Sequence, residues 1–204
     1  ELVDRIYQFT QGGGLVVATC LTGYVNLTNC CWLGGFPGAG LAELFGIWNE
    51  ELDNLDDEER VKVIGQFSGS ARDIAERIHL RGAKSIAQAG SEFYAGHPLI
   101  TEHKCKAGHA FYLAARFESA VLVEFYQSLA TRFDLSRTMD ADLPLGVVFR
   151  RRESADKKYG FLFNYTQETH SIDLKEHSFL DFAAASNCTG KLELKPYETR
   201  VLQI

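Results

Sequence analysis

Cys20 is the first residue whose type and position suggest chemistry. The apolar run Leu15 to Ala18 before it predicts a strand buried on both faces. Some α/β enzymes place a nucleophile after such a strand, with glycine two residues to either side of it. Ala18 and Thr22 stand at these two positions here. The pattern therefore favours a buried or half-buried thiol over a hydrolase or amidotransferase nucleophile.

Carboxylates are the next candidates, because glycoside hydrolysis uses a pair of Asp or Glu residues. Glu50 and Glu51 are adjacent, and neighbouring residues of a strand point to opposite faces, so they cannot flank one substrate bond. They open an acidic segment, residues 49–60. We predict a strand end and a solvated loop there. No catalytic residue is predicted in this chain.

Neither metal nor cofactor binding is predicted. The histidines include no pair at i and i+4, and the cysteines include no CxxC, so neither a metal site nor a disulfide framework is indicated. The glycine-rich segment 35–40 precedes a helical pattern, but it has neither the dinucleotide spacing nor the Lys-Ser/Thr ending of a phosphate loop. We interpret it as a structural turn.

Aromatic residues cluster around the glycine turns between residues 32 and 48. Trp32, Phe36, Pro37 and Trp48 are our candidate site residues, as a loop that contacts another subunit or faces a sugar. Packing in the core is the alternative for such aromatics.

The periodicity of the chain predicts two domains. In residues 1–138, a helix over 1–11 leads into the strand at Leu15, and a long loop, a short helix and further strands follow; a second amphipathic helix is predicted over 119–133. Residues 139–145 resemble a linker. From residue 139 to 204 the period is two, with turn signals about ten residues apart, which is typical of a small antiparallel sandwich.

The composition excludes several classes of protein. The chain has 204 residues, of which 46% are hydrophobic, and a net charge of −6. Nucleic-acid binding needs clustered Lys and Arg, so no nucleic-acid partner is expected. No apolar run is long enough to span a membrane, and we expect a cytoplasmic protein. The chain opens on Glu1 rather than Met, and its first helix lacks a preceding strand, so we expect a fragment that begins inside a domain.

The order of motifs resembles the trimerisation domain of family 42 β-galactosidases. The resemblance is carried by the motifs at residues 12–17, 22–25, 33–38, 44–51, 90–98 and 108–116, and residues 161–166 and 194–198 resemble the small C-terminal β domain of that family. It implies an α/β fold, namely a truncated flavodoxin-like or class I glutamine amidotransferase-like domain followed by the β domain.

The resemblance also implies a function for the whole enzyme. Family members release terminal β-D-galactose by a retaining mechanism, with two glutamates in a TIM barrel that is absent from this chain. It implies a homotrimer with a galactoside substrate, and it gives this chain an assembly role without hydrolase activity. Two alternatives stay open: a hydrolase or amidotransferase that uses Cys20, and a carbohydrate-binding module that uses Tyr159, Phe161, Tyr165 or Tyr197.

Overall fold

The computed structural model describes residues 1–91, 93–135, 139 and 141–204. These residues form two compact units, Glu1–Phe133 and Asp134–Ile204. The predicted domain boundary between residues 138 and 139 adjoins residues 136–138 and 140, which lie outside the described residues. Glu92, in the motif at residues 90–98, also lies outside them. Among the described residues, no helix has the length and apolar character needed to cross a membrane.

The described part of the first unit contains three helices and eight strands. In chain order they are α1 Leu2–Gln11, β1 Leu15–Thr19, α2 Leu41–Phe45, β2 Ile47–Asn54, β3 Val61–Gly65, β4 Gly69–Leu80, β5 Lys84–Ala89, β6 Pro98–Cys105, β7 Gly108–Leu113, β8 Ala115–Phe117 and α3 Ser119–Arg132. The predicted helices at the two ends of this unit are confirmed. Trp48 lies on β2, because Gly46 ends α2 in a left-handed conformation two residues earlier.

The eight strands form one mixed sheet in the order β1-β7-β6-β5-β3-β4-β2, with β8 paired to β4. β1 and β7 are parallel, whereas the other neighbouring strands are antiparallel. The prediction that β1 is buried on both faces is wrong. β1 ends the strand order with β7 as its neighbour, and Leu15, Val16 and Val17 are only half-buried.

β7 is the strand that is buried on both faces. Its alternate residues enter two hydrophobic clusters, with Ala110 and Tyr112 beside α1 and α2, and Phe111 and Leu113 beside α3. This alternation follows from the period of two in a strand. The helices therefore cover both faces of the sheet.

Residues 74–88 span the end of β4 and most of β5. These two strands are consecutive in the chain but do not pair with each other, since β3 lies between them. The acidic segment 49–60 extends β2 to Asn54 before it turns, so more of it is strand than the charge pattern suggested.

The described part of the second unit has five strands: β9 Val147–Glu153, β10 Lys158–Asn164, β11 His170–Asp181, β12 Ser186–Leu194 and β13 Thr199–Gln203. The prediction of antiparallel strands is confirmed. All five belong to one sheet, in the order β12-β11-β13-β10-β9, rather than to two facing sheets. Its core includes Leu162, Ile172 and Leu194.

Candidate functional site

The candidate site is built on the loop of residues 20–40, which connects β1 to α2. Gly34, Gly35 and Gly40 of this loop have φ values of 93°, 102° and 86°, a region that favours glycine. Gly38 is required for a different reason. A Cβ atom at this position would lie 2.1 Å from Cγ of Trp32, so a larger residue would displace the indole. The glycines thus allow an aromatic side chain to lie directly against the backbone.

The structure brings together all four residues that the sequence analysis proposed for this site. Trp32, Phe36, Pro37 and Trp48 line one cavity of about 200 Å³. Its wall also includes Glu43 and Arg81, together with the glycines of the loop and their neighbours. The cavity combines aromatic surface with one carboxylate and one guanidinium.

Local contacts fix the orientation of these aromatic side chains. The indole Nε1–H of Trp32 donates a hydrogen bond to the carbonyl of Val25 at 3.1 Å. Phe36 packs edge-to-face against Tyr24, with ring centroids 4.9 Å apart. Phe45, by contrast, is 1% exposed and belongs to the core. The cluster of aromatics therefore divides between core packing and a shaped surface.

Trp48 contacts a histidine and an arginine. Its indole stacks on His79 with ring centroids 4.6 Å apart and an interplanar angle of 12°. The guanidinium carbon of Arg81 lies 5.5 Å from the indole centroid, within cation–π range. His79 in turn is 2.6 Å from Glu50, and the hydrogen bond from His79 is the main cause of the lowered pKa of Glu50. Arg77 is a further cation 3.4 Å from Glu50.

A buried carboxylate holds the start of the loop. Glu76 has no solvent exposure, and it accepts hydrogen bonds from the backbone N–H of Leu21 at 2.7 Å and from the hydroxyl of Tyr112 at 2.8 Å. Burial raises the pKa of Glu76 to about 6. Further along the loop, the backbone N–H of Asn49 donates to the carbonyl of Phe36 at 2.8 Å. The loop is therefore attached to the sheet at its first turn and again beside Phe36.

Cys20 does not have the properties of a nucleophile. It follows β1 and is half-buried, and burial followed by the nearby Glu76 carboxylate raises its pKa to about 11. A thiol with such a pKa is almost entirely protonated near neutral pH. All five cysteines are free thiols in the structure.

The other residues considered for chemistry are dispersed. Glu50 is paired with His79, whereas Glu51 lies beyond a register shift between Asn49 and Glu51 and its backbone N–H donates to the side chain of Asn49. In the part of the chain that the structure describes, no three His, Cys, Asp or Glu side chains are grouped as a metal site would require.

Three of the aromatic residues considered in the second unit lie on or next to β10: Tyr159 and Phe161 on the strand, and Tyr165 directly after it. Phe161 and Phe163 have ring centroids 6.5 Å apart, and Phe163 and Tyr165 have centroids 5.9 Å apart. Tyr159 contacts Phe182 at 5.7 Å. Tyr197 lies in the turn between β12 and β13 and is 64% exposed.

Sequence reasoning missed Glu43, His79, Arg81 and Glu76. His79 reaches Trp48 because the two residues are directly paired across β4 and β2. Arg81 comes directly after the last residue of β4, two positions beyond His79. Glu76 resembles any charged residue of a strand until its neighbours are known. No local sequence signal identifies these four residues.

Comparison with known proteins identifies the class to which both units belong. Residues 1–136 match the family described as the β-galactosidase trimerisation domain. Residues 146–203 match the family described as the β-galactosidase C-terminal domain. The chain therefore belongs to the family 42 β-galactosidases, and it carries the trimerisation and C-terminal domains of that family.

Individual relatives agree with this assignment. The chain is 33% identical to β-galactosidase Pbg of Clostridium perfringens, a match that covers 98% of the chain and 30% of that protein. It is 34% identical to β-galactosidase BglY of Alicyclobacillus acidocaldarius, over 99% of the chain and 30% of that protein. A crystal structure of the β-galactosidase from Rahnella sp. R3 superposes with a TM-score of 0.81 at 36% identity, and the match covers 98% of this chain and 30% of that one. The chain thus spans about 30% of the length of the relatives it matches.

Proposed function

We propose that this chain is the assembly portion of a homotrimeric β-galactosidase, and that it does not itself cleave galactosides. The observation that carries the proposal is the match of residues 1–136 to the β-galactosidase trimerisation domain. Both relatives described above are named β-galactosidases. Hydrolysis of terminal β-D-galactose, with a galactoside as substrate, is therefore our proposal for the whole enzyme. Its retaining pair of carboxylates would lie in a barrel domain outside this chain.

The loop of residues 20–40, together with Trp48 on β2, is our candidate for a subunit contact. A threefold ring uses heterologous contacts, so each subunit needs two different surfaces that fit each other. Aromatic residues and arginine are enriched at the centres of protein interfaces. Trp32, Phe36, Pro37 and Trp48, with Arg81 beside them, have this composition around one cavity. The loop's alternative role, as a surface that faces a sugar, is supported by the same aromatic rings and by Glu43.

We propose three further assignments that rest on the family. First, the first unit is a truncated flavodoxin-like or amidotransferase-like domain, supported by the helix α1, the parallel pair β1 and β7, and helices on both faces of the sheet. Second, the domains divide between residues 138 and 139, close to the division of the two compact units after Phe133. Third, the enzyme is cytoplasmic.

Subunit stoichiometry and hydrolysis, measured on one preparation of the chain, test the proposed function. Native mass spectrometry is expected to detect a trimer, and nitrophenyl-β-galactoside is expected to stay intact. Hydrolysis by the purified chain at a rate above the buffer control would contradict the assignment of catalysis to another part of the enzyme. A monomer as the sole species would contradict the assembly role.

A second candidate function is carbohydrate binding by the second unit. The specific observation is the stacked series of Phe161 and Phe163 on β10 and Tyr165 directly after it, because aromatic rings in a line are suited to pack against successive pyranose rings. Titration calorimetry with a soluble galactan tests it. Saturable heat that is lost in Phe163→Ala would support the candidate, and the absence of heat would reject it.

A further inference from the structure

A second cavity, on the first unit, is lined by seven residues, of which three are lysine or arginine. It has a volume of about 340 Å³ and involves β5, β6, β7 and the end of α3. Its charged and titratable residues are Lys84, Glu102, His103, Lys104, His109 and Arg132. Three permanent cations and one carboxylate give the cavity two net positive charges, on a chain whose net charge is −6. The cavity is therefore positively charged, whereas the chain as a whole is negatively charged.

The strand register explains why these residues converge. Lys84 on β5 is paired with Glu102 on β6, and Lys104 on β6 is paired with His109 on β7. Paired residues lie on the same face of a sheet, and Glu102 and Lys104 share a face because they are two residues apart. Arg132 comes from the last turn of α3.

Glu102 is already occupied by two partners. Both of its oxygens accept hydrogen bonds from the guanidinium of Arg132, at 2.8 and 2.6 Å, and His109 Nδ1 lies 2.6 Å from one of them. The side chain of Glu102 is 14% exposed. This carboxylate thus fixes Arg132 and His109 in position, and its own charge is compensated by the arginine.

The two lysines have no such partner. Within residues 1–91, 93–135, 139 and 141–204, neither ammonium group makes a hydrogen bond or an ion pair. Both side chains are exposed and border the same cavity. The two ammonium groups are therefore donors without an acceptor, beside a guanidinium that Glu102 holds in place.

We propose that this cavity is a binding site for a small dianion of the phosphate type, with Lys84 and Lys104 as its principal charged donors and Arg132 as a third. Oxyanions accept several hydrogen bonds at once, and bonds between two charged partners are the strongest of their kind. The two net charges of the cavity match a dianion. Its volume accommodates an inorganic phosphate or the phosphate group of a small ester.

The test is titration calorimetry of the full chain with inorganic phosphate at low ionic strength, where exposed charges are least screened. We expect saturable binding at one site per chain, and weaker binding of acetate, which is a monoanion. In the double variant Lys84→Gln, Lys104→Gln the affinity is expected to fall about tenfold or more, the equivalent of losing one charge-assisted hydrogen bond. Lys62→Gln is the matched control, an exposed lysine of the same sheet that does not line the cavity.

Three outcomes would overturn the proposal. They are the absence of saturable binding, an equal loss of affinity in Lys62→Gln, and a double variant that changes the subunit stoichiometry while the parent chain binds no phosphate. The last would assign the lysines to a contact with an acidic surface of another subunit. If the double variant does not fold, the single variant Lys84→Gln is measured in the same way, with an affinity loss of several-fold expected.

Discussion

The carboxylate of Glu76 accepts a hydrogen bond from the backbone N–H of Leu21 at 2.7 Å, although the two residues are 55 positions apart. Leu21 has a φ of 69°, a left-handed conformation that is uncommon for leucine. The contact joins strand β4 to the first turn of the loop that carries Trp32 and Phe36. The buried carboxylate of Glu76 therefore holds the first turn of the loop that forms the candidate subunit contact.

This burial predicts a pH dependence of stability. The pKa of Glu76 rises from its ordinary value of 4.5 to about 6 in the folded chain. The folded state consequently binds a proton more tightly than the unfolded state, and the contribution of Glu76 to the free energy of unfolding falls as the pH rises from 4.5 to 6. The expected loss is about 2 kcal/mol.

Urea unfolding of the chain and of Glu76→Gln, near pH 4.5 and near pH 7, measures this contribution. Both tryptophans lie in the first unit, so their fluorescence reports on that unit. The neutral glutamine removes the proton uptake, and the difference in stability between the two proteins is expected to change in favour of the parent chain at the lower pH. Equal pH dependence in the two proteins would contradict the raised pKa.

Trp48 is expected to contribute to subunit association. Trp48→Ala removes the ring that contacts His79 and Arg81 and reduces the aromatic surface of the cavity, so the trimer is predicted to dissociate at concentrations at least tenfold higher. Buried tryptophans at interface centres commonly account for 2 kcal/mol or more, roughly thirtyfold in affinity. Sedimentation velocity over a range of concentrations measures the change.

Tyr126→Ala is the control for that experiment. Tyr126 is an aromatic residue that is 49% exposed, and it lies on α3, away from the residues that line the loop cavity. It is expected to leave association unchanged. A weaker trimer in Tyr126→Ala and an unchanged one in Trp48→Ala would move the subunit contact from the loop to α3.

The attachment of α3 to the sheet depends on Phe125. This ring is fully buried and packs against Phe67 and Phe111 with centroids 5.6 and 5.8 Å apart. Phe125→Ala is expected to lower the free energy of unfolding by about 3–5 kcal/mol, since it leaves a cavity in the core. Val123→Ala on the same helix is 54% exposed and is expected to change it by less than about 0.5 kcal/mol. Similar values for both variants in urea unfolding would refute the packing described for α3.

Cys20 is expected to react slowly with iodoacetamide. Its pKa of about 11 is two units above the ordinary value of 9.0, so its thiolate fraction near neutral pH is about a hundredfold lower than that of an ordinary cysteine. Peptide mass spectrometry after a timed alkylation measures the modification of each cysteine. We expect the exposed Cys30 and Cys31 to be alkylated well before Cys20. Preferential alkylation of Cys20 would restore the hypothesis of a nucleophile.

The parts of the fold that depend on local pattern could be predicted from the sequence. The five strands of the second unit follow from alternation and turn spacing, and the helix α3 follows from Val121, Phe125 and Leu129 at helical intervals. The position of β1 at the sheet edge could not be predicted in this way. Its partner β7 begins more than 90 residues later, and an apolar run of five residues does not reveal how many neighbours a strand will have.

In the candidate site, too, some residues could be predicted from local pattern, whereas others depend on the pairing of distant strands. Trp32, Phe36 and Pro37 were found because they lie among glycines in one short segment. His79 and Arg81 come to Trp48 through the pairing of β2 with β4, and Glu76 is recognisable only by its burial. Long-range strand pairing, which sequence periodicity does not encode, therefore supplied the charged part of the site.

Sedimentation equilibrium of the purified chain measures directly whether these residues are sufficient for subunit assembly. The chain has a mass of 22.8 kDa. We predict a species of three times this mass at micromolar concentration, with dissociation on dilution that is enhanced in Trp48→Ala. A single species of 22.8 kDa that persists at the highest attainable concentration would contradict it.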